Sequence, residues 1–199
     1  NLQKGHDICG QFHVEPMKTG YVIDIFGHNA QFPQILKGFG FESAVVFRGI
    51  GDFPKDAFTW VGADGSEVTA FKLDIDRTYS NFYFSIRWPF EGREYLDNEK
   101  ELFDRARAML DRSDKAAVCN SYLMMDGVDH IDAEPRLPQV LSKLNGHFPD
   151  YEFIHTTFGE FEKSFKTENP KLQKIVGPLY NVGQKGLNNI VLKNVLSSM

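Results

Sequence analysis

An apolar run, Tyr21-Val-Ile, ends on a carboxylate, Asp24. Phe26, Gly27 and His28 follow at once, and a helical pattern opens near Ala30. A second acid, Asp129, follows another apolar run, in the polar loop Asp126-Gly-Val-Asp-His-Ile-Asp132. Acids at strand ends stand at the mouth of a sheet, where α/β folds keep their chemistry. Two carboxyl groups on one rim suit hydrolysis of a glycosidic bond with retention. One attacks the anomeric carbon and the other donates a proton, from about 5–5.5 Å away. The alternative is that each acid caps a helix or bonds its own loop. Arg48 closes a further apolar run, and a cation there would favour the charged form of Asp24. A surface salt bridge is the plainer reading of Arg48. Asp126 and Asp132 surround Asp129 with like charge, which suits a carboxyl group that has to hold a proton.

The elements that must position these residues can be read from periodicity and punctuation. Residues 1–13 read as the last turns of a helix. Residues 19–24 and 43–48 are short apolar runs of buried-strand type. Residues 30–37 read as a helix stopped by Gly38 and Gly40. Residues 58–61 and 67–72 flank Asp64-Gly65, a strong hairpin turn, and the hairpin reads as an insertion between strand and helix. Residues 77–96 are aromatic and irregular. A helix is expected from about Asn98 to Asp111, with Asp97 as N-cap and Leu102, Phe103, Ala106, Met109 and Leu110 on one face. Residues 115–125 read as a third buried strand and 151–156 as a fourth. A helix over 136–145 is bracketed by Pro135 and Gly146. Thr157 to Glu160 spells a capping box opening a helix to about Lys166. Residues 177–184 read as loop and 186–198 as helix. Strands alternating with helices argue an α/β fold with a mostly parallel sheet. With no internal repeat or low-complexity linker, residues 1–199 are expected to be one domain.

Composition narrows the partners. The chain has 199 residues, net charge -5 and no basic run, which argues against nucleic-acid binding. Cys9 and Cys119 lie far apart and without a CxxC, and read as reduced core thiols of an intracellular protein. No apolar stretch of about 20 residues suggests a membrane span, and no signal peptide is visible. A cytoplasmic protein, with homo-oligomerisation open, is the expectation. Both ends fall inside helical patterns and the chain opens on Asn1, so it reads as a piece of a longer protein. The remaining histidines offer little: His155 reads as a satisfied strand residue, and His28 as a loop-shaping one that bonds backbone or a carboxylate. No Gly-x-Ser-x-Gly elbow, phosphate loop or dinucleotide fingerprint occurs.

Gly20-Tyr-Val-Ile-Asp-Ile-Phe-Gly-His-Asn-Ala-Gln-Phe-Pro-Gln-Ile-Leu-Lys-Gly-Phe-Gly40 and Ala44-Val-Val-Phe-Arg-Gly49 resemble the core of the bacterial glycoside hydrolase family 38 α-mannosidases. Phe58-Thr-Trp-Val-Gly-Ala-Asp-Gly-Ser66, Leu123-Met-Met-Asp-Gly-Val-Asp-His130 and Val182 to Ser198 extend the resemblance over nearly the whole chain. It implies part of an irregular, mostly parallel (β/α) barrel with helices around the sheet, and a zinc-dependent, retaining α-mannosidase acting on α-mannosides. By the same resemblance Asp24 matches the nucleophile and a zinc ligand, and Asp129 the general acid/base. Phe26 matches an aromatic that faces the sugar, Arg48 an arginine beside the nucleophile, and Tyr79 a tyrosine near the bound sugar. The other zinc ligands of the family, a His-x-Asp pair and a later histidine, are expected outside residues 1–199. His130-Ile-Asp132 has the pair's spelling in the wrong loop and reads as a decoy. One carboxylate does not hold zinc, so the piece alone is expected to be inactive. Two other readings stay open. One is a metal-dependent deacetylase-like or phosphoesterase hydrolase using metal-bound water. The other is a non-catalytic carbohydrate-binding module.

Overall fold

The computed structural model describes residues 1–25, 27–74, 77–88 and 98–180. They divide into two compact units: one holds the described residues between Asn1 and Asp76 and from Asn169 onward, the other spans Arg77–Glu168.

Among the described residues the first unit is a five-stranded sheet with two helices. Its strands are β1 (Thr19–Val22), β2 (Ser43–Val46), β3 (Ala57–Val61), β4 (Glu67–Lys72) and β5 (Lys174–Val176), in the order β1-β2-β4-β3-β5. β1–β2, β2–β4 and β3–β5 pair in parallel, and β3–β4 antiparallel. The sheet is therefore mixed and mostly parallel. All four residues of β2 are buried, as expected of an interior strand covered on both faces. α1 (Leu2–Gln11) precedes the sheet, and α2 (Phe32–Gly38) buries Pro33 and Leu36. The core gathers Leu36, Phe41, Val46, Phe58, Trp60 and Val68.

The hairpin is not an insertion. β4 lies between β2 and β3, in register Ser43↔Thr69 to Val46↔Lys72 with β2. Phe58 and Trp60 on β3 and Val68, Ala70 and Phe71 on β4 are all buried, so this hairpin contributes a large share of the unit's core. The turn itself is as read: Gly65 has φ +85°, and the Asp64 side chain accepts bonds from the Ser66 backbone and hydroxyl.

The second unit is helical. α3 (Glu99–Ala116), α4 (Leu137–His147) and α5 (Phe158–Glu168) follow a 3₁₀ turn over Thr78–Ser80 and a π-helical turn over Tyr83–Arg87. Leu102, Ala106, Met109 and Leu110 of α3 face Val140 and Leu144 of α4, together with Phe82, Ile86 and Phe148. The N-cap of α3 is Asn98, one residue beyond the expected Asp97. Its side chain accepts from Glu101 N, which caps the helix, and its amide nitrogen donates to Glu101 Oε2. At α5, Thr157 Oγ1 accepts from Glu160 N, but the Glu160 carboxylate turns to Lys163. α3 runs past Asp111 to Ala116, and Arg112 on it donates to Ser85 Oγ. α4 runs through Gly146 to His147, whose ring stacks on Phe103 at 3.7 Å. The expected helix over 186–198 lies outside the described residues.

Two expected strands are absent. Residues 117–128 and 151–157 belong to no ladder. Asparagine amides take the place of a neighbouring strand. Asn145 donates to Phe153 O and accepts from Phe153 N. Asn81 donates to Leu123 O and accepts from Met125 N. The apolar residues that suggested strands, Tyr122, Met124, Tyr151 and Phe153, instead pack on the helical core. Conversely, β5 arises where no strand was expected, in a loop approach to Gly177. Cys9 and Cys119 are not joined to one another and are only partly buried, so neither is a core residue. Among the described residues no helix is long and apolar enough to cross a membrane.

Gly49 carries the tightest backbone constraint. Its φ is +87°, and a Cβ there would stand 2.2 Å from the Leu179 carbonyl oxygen. Gly65 shares the positive φ but faces open space. Gly49→Ala should therefore destabilise by on the order of 3 kcal/mol, and Gly65→Ala by about 1 kcal/mol. Denaturant unfolding checks this, and equal losses would contradict the close approach at residue 49.

Candidate functional site

Asp24 and Arg48 meet because β1 and β2 are parallel neighbours. Their ladder runs from Thr19↔Ser43 to Val22↔Val46. Continued two residues past its last rung, this register sets Asp24 against Arg48. Arg48 Nε donates to Asp24 Oδ1 at 2.7 Å. The Asp24 side chain remains 55% exposed and that of Arg48 only 18%. The carboxylate is therefore held from one side and open to solvent on the other. The Arg48 guanidinium also lies over the Phe47 ring at 5.2 Å. Phe26 lies outside the described residues.

His28 holds the turn behind this pair. It is 3% exposed, and its Nε2 lies 3.2 Å from the Arg48 carbonyl oxygen. Such a bond requires the proton on Nε2. Its backbone exchanges two bonds with Leu179, N to O at 3.1 Å and O to N at 2.8 Å. The ring stands edge-on to Trp60 at 5.6 Å, and Trp60 Nε1 donates to Gly177 O at 2.8 Å. The sequence suggested that His28 shapes the loop by bonding backbone or a carboxylate, and backbone it is. The bond to the arginine's own carbonyl could not be foreseen, because the segment that locks it, residues 177–180, lies far along the chain.

Asp129 belongs to the second unit, in the loop after residues 117–125. Tyr79 Oη donates to its Oδ2 at 3.5 Å, at the far limit of a hydrogen bond. Asp129 is exposed. Asp126, expected to act on Asp129 by like charge, is instead neutralised by Arg87 at 2.7 Å. Arg87 also faces Glu134 at 3.8 Å, and Glu134 binds Arg136 at 3.0 Å. The two pairs of Arg87 are largely buried and tie Asp126 and Glu134, on either side of Asp129, to one cation. His130, inside the loop, has φ +68°, a left-handed conformation costly for a residue other than glycine. Ser80 Oγ donates to Gly127 O, and Asn81 bonds the backbone of Leu123 and Met125. Sequence reasoning missed Ser80, Asn81 and Arg87. Their one signal was a Ser-Asn pair amid aromatics, where a buried polar side chain needs a partner.

Among the described residues no three His, Cys, Asp or Glu side chains gather to hold a metal ion. Asp24 offers one carboxylate, and zinc takes three or four protein ligands. The described residues thus do not fit zinc by themselves. His130 and Asp132 belong to no such group among the described residues.

Burial pushes the His28 pKa below the ordinary histidine value, and its bond to the Arg48 carbonyl opposes that only in part. The folded state then prefers neutral His28. Its contribution is complete above about pH 6.5 and is lost as pH falls through the lower folded value. His28→Gln should flatten this acid-side loss in denaturation curves taken between about pH 7 and 5; an unchanged slope would contradict it. Asn81→Ala strands the Met125 N–H and Leu123 carbonyl and should cost on the order of 2–3 kcal/mol. Urea unfolding with a loss under about 0.5 kcal/mol would show that water replaces the amide.

Residues 1–147 match the glycosyl hydrolases family 38 N-terminal domain. A Halalkalibacterium halodurans protein, provisionally named mannosylglycerate hydrolase, is 29% identical over 96% of this chain and 22% of its own length. Alpha-mannosidase G of Dictyostelium discoideum is 26% identical over 80% of this chain and 14% of its own. The crystal structure of an alpha-mannosidase from Enterococcus faecalis V583 superposes with TM-score 0.75 at 26% identity, over 86% of this chain and 19% of that one. The chain thus spans between 14% and 22% of the length of these relatives. The domain match takes in most of the residues and the superposition agrees with it, so the chain belongs to glycosyl hydrolase family 38, within its N-terminal domain.

Proposed function

We propose that this chain is part of the catalytic domain of a retaining α-mannosidase. Asp24 is its nucleophile and Asp129 its general acid/base. The observation that carries the reading is the 2.7 Å pair of Arg48 with a half-exposed Asp24, at neighbouring strand ends in a member of this family. A carboxylate fixed on one oxygen by a buried-stemmed arginine is oriented yet accessible, as an attacking group must be. Asp24 attacks the anomeric carbon of a terminal α-mannosyl residue and forms a glycosyl ester. Asp129 protonates the departing oxygen, then takes a proton from the incoming water. Tyr79 orients the Asp129 carboxyl group, and Phe26 packs against the sugar. The named activities of the relatives support α-mannosides as the substrate class.

Zinc belongs to the same proposal, with Asp24 as one ligand and the others supplied from outside residues 1–199. A bound zinc would grip sugar hydroxyls as a Lewis acid.

The test uses the full-length enzyme. Incubation with an activated 2-deoxy-2-fluoro-mannoside, followed by peptide mass spectrometry, should find the sugar on Asp24. Asp129→Ala should lower kcat/KM for an alkyl mannoside by about 10²–10⁴-fold, while first-turnover release of dinitrophenolate from a dinitrophenyl mannoside should fall far less. An adduct on another residue would move the nucleophile away from Asp24, and no adduct at all would sink the assignment and favour attack by metal-bound water.

A further inference from the structure

We propose that His28 is a positioning residue that acts on the nucleophile through Arg48. The inference rests on the assignment of Asp24 given above. Three observations lead to it. Among the described residues of the loop after Asp24, His28 is the one that is buried, with 3% of its surface exposed. Its Nε2–H points at the Arg48 carbonyl rather than at any carboxylate. The same arginine turns its Nε onto Asp24. The residues form a closed circuit. Asp24 leads by four residues of chain to His28, His28 bonds the Arg48 backbone, and the Arg48 side chain returns to Asp24.

Neither strand ladder fixes Arg48 by itself, since β2 ends at Val46. Past that point its backbone is held by Gly49 against the Leu179 carbonyl on one side and by His28 on the other. Leu179 also bonds both backbone groups of His28. One residue from a distant part of the chain thus clamps both turns. Trp60 and Phe32 close on the imidazole ring and fix its plane, at 5.6 and 6.0 Å. A guanidinium anchored this way gives the attacking carboxylate one orientation instead of several. Orientation of this kind is worth up to about a hundredfold in rate.

The chemistry offers a clean comparison. Glutamine places an amide N–H as many bonds from the backbone as histidine places Nε2, and methionine has the same length without a donor. In the full-length enzyme, His28→Met should slow first-turnover release of dinitrophenolate from a dinitrophenyl α-mannoside by roughly ten- to a hundredfold. His28→Gln should restore most of that rate. In an Arg48→Met background, His28→Met should add less than about twofold, because the two act through one path. Equal rates for the Gln and Met variants, or multiplying losses in the double variant, would overturn the proposal. If the Met variant does not fold, His28→Asn replaces it: its amide is one methylene too short to reach the Arg48 carbonyl, so it should lose rate where Gln does not. Asp24→Asn, assayed alongside, separates the two possible failures. Full activity there would remove the nucleophile assignment and this proposal with it. A dead Asp24→Asn enzyme with an additive cycle would remove the role of His28 alone.

Discussion

The parallel register of β1 and β2 is the constraint from which the rest of the first unit follows. Parallel neighbours end on the same edge of a sheet, so the residues that leave them are brought side by side. Here the fixed offset of the ladder carries beyond its last rung and sets Asp24 opposite Arg48. A slip of β2 by one residue would turn Arg48 to the other face and away from Asp24. β2 cannot slip easily, because all four of its residues are buried and its other edge is bonded to β4. The ion pair is thus a product of packing some distance behind it. Its own contribution to stability is modest, since Asp24 is more than half exposed and such pairs are worth about 1 kcal/mol or less.

The loops at that edge are held by a different device. His28, Gly49, Trp60 and the stretch from Gly177 to Leu179 interlock through backbone bonds and ring edges. None of these groups is charged at neutral pH, so the scaffold adds no charge of its own beside Asp24. Its neutrality also explains why acid should loosen this corner: protonating His28 would bury a cation among apolar rings.

Much of the first unit was legible in the sequence, and the reason is local. β1, β2, α2 and the hairpin announce themselves through short apolar runs bounded by glycine, and the Asp64-Gly65 turn is correct in detail. The place of the hairpin was not legible, because pairing of β4 with β2 is a property of the sheet and not of the turn. β5 was missed for the same reason: Lys174-Ile-Val176 has too few residues to show a period and is a strand only because β3 lies beside it. In the second unit the error ran the other way. Residues 115–125 and 151–156 have the composition of strands, yet the first two of them end α3 and the apolar side chains of the rest found a helical core first. Of the candidate site, the residue types at 24, 48 and 129 could be read directly. The groups that fix them in place, His28 by its bond to Arg48 and Ser80, Asn81 and Arg87 around the Asp129 loop, depend on folded neighbours and could not.

The two asparagines that stand in for a neighbouring strand change what the chain can tolerate. In a sheet, hydrogen bonds pass from main chain to main chain, so the ladder survives almost any replacement of its side chains. At the Leu123 carbonyl, the Met125 N–H and both backbone groups of Phe153 the partner is a side-chain amide, while the Met125 carbonyl accepts from the Phe82 backbone. Much of the order of those segments is therefore written in the identity of single residues. Asn81 and Asn145 each hold, in one codon, a bonding role that strands elsewhere in this molecule keep out of reach of point substitution. Deamidation of either would convert a donor into an acceptor without altering its shape, and would turn an attraction to a carbonyl into a repulsion.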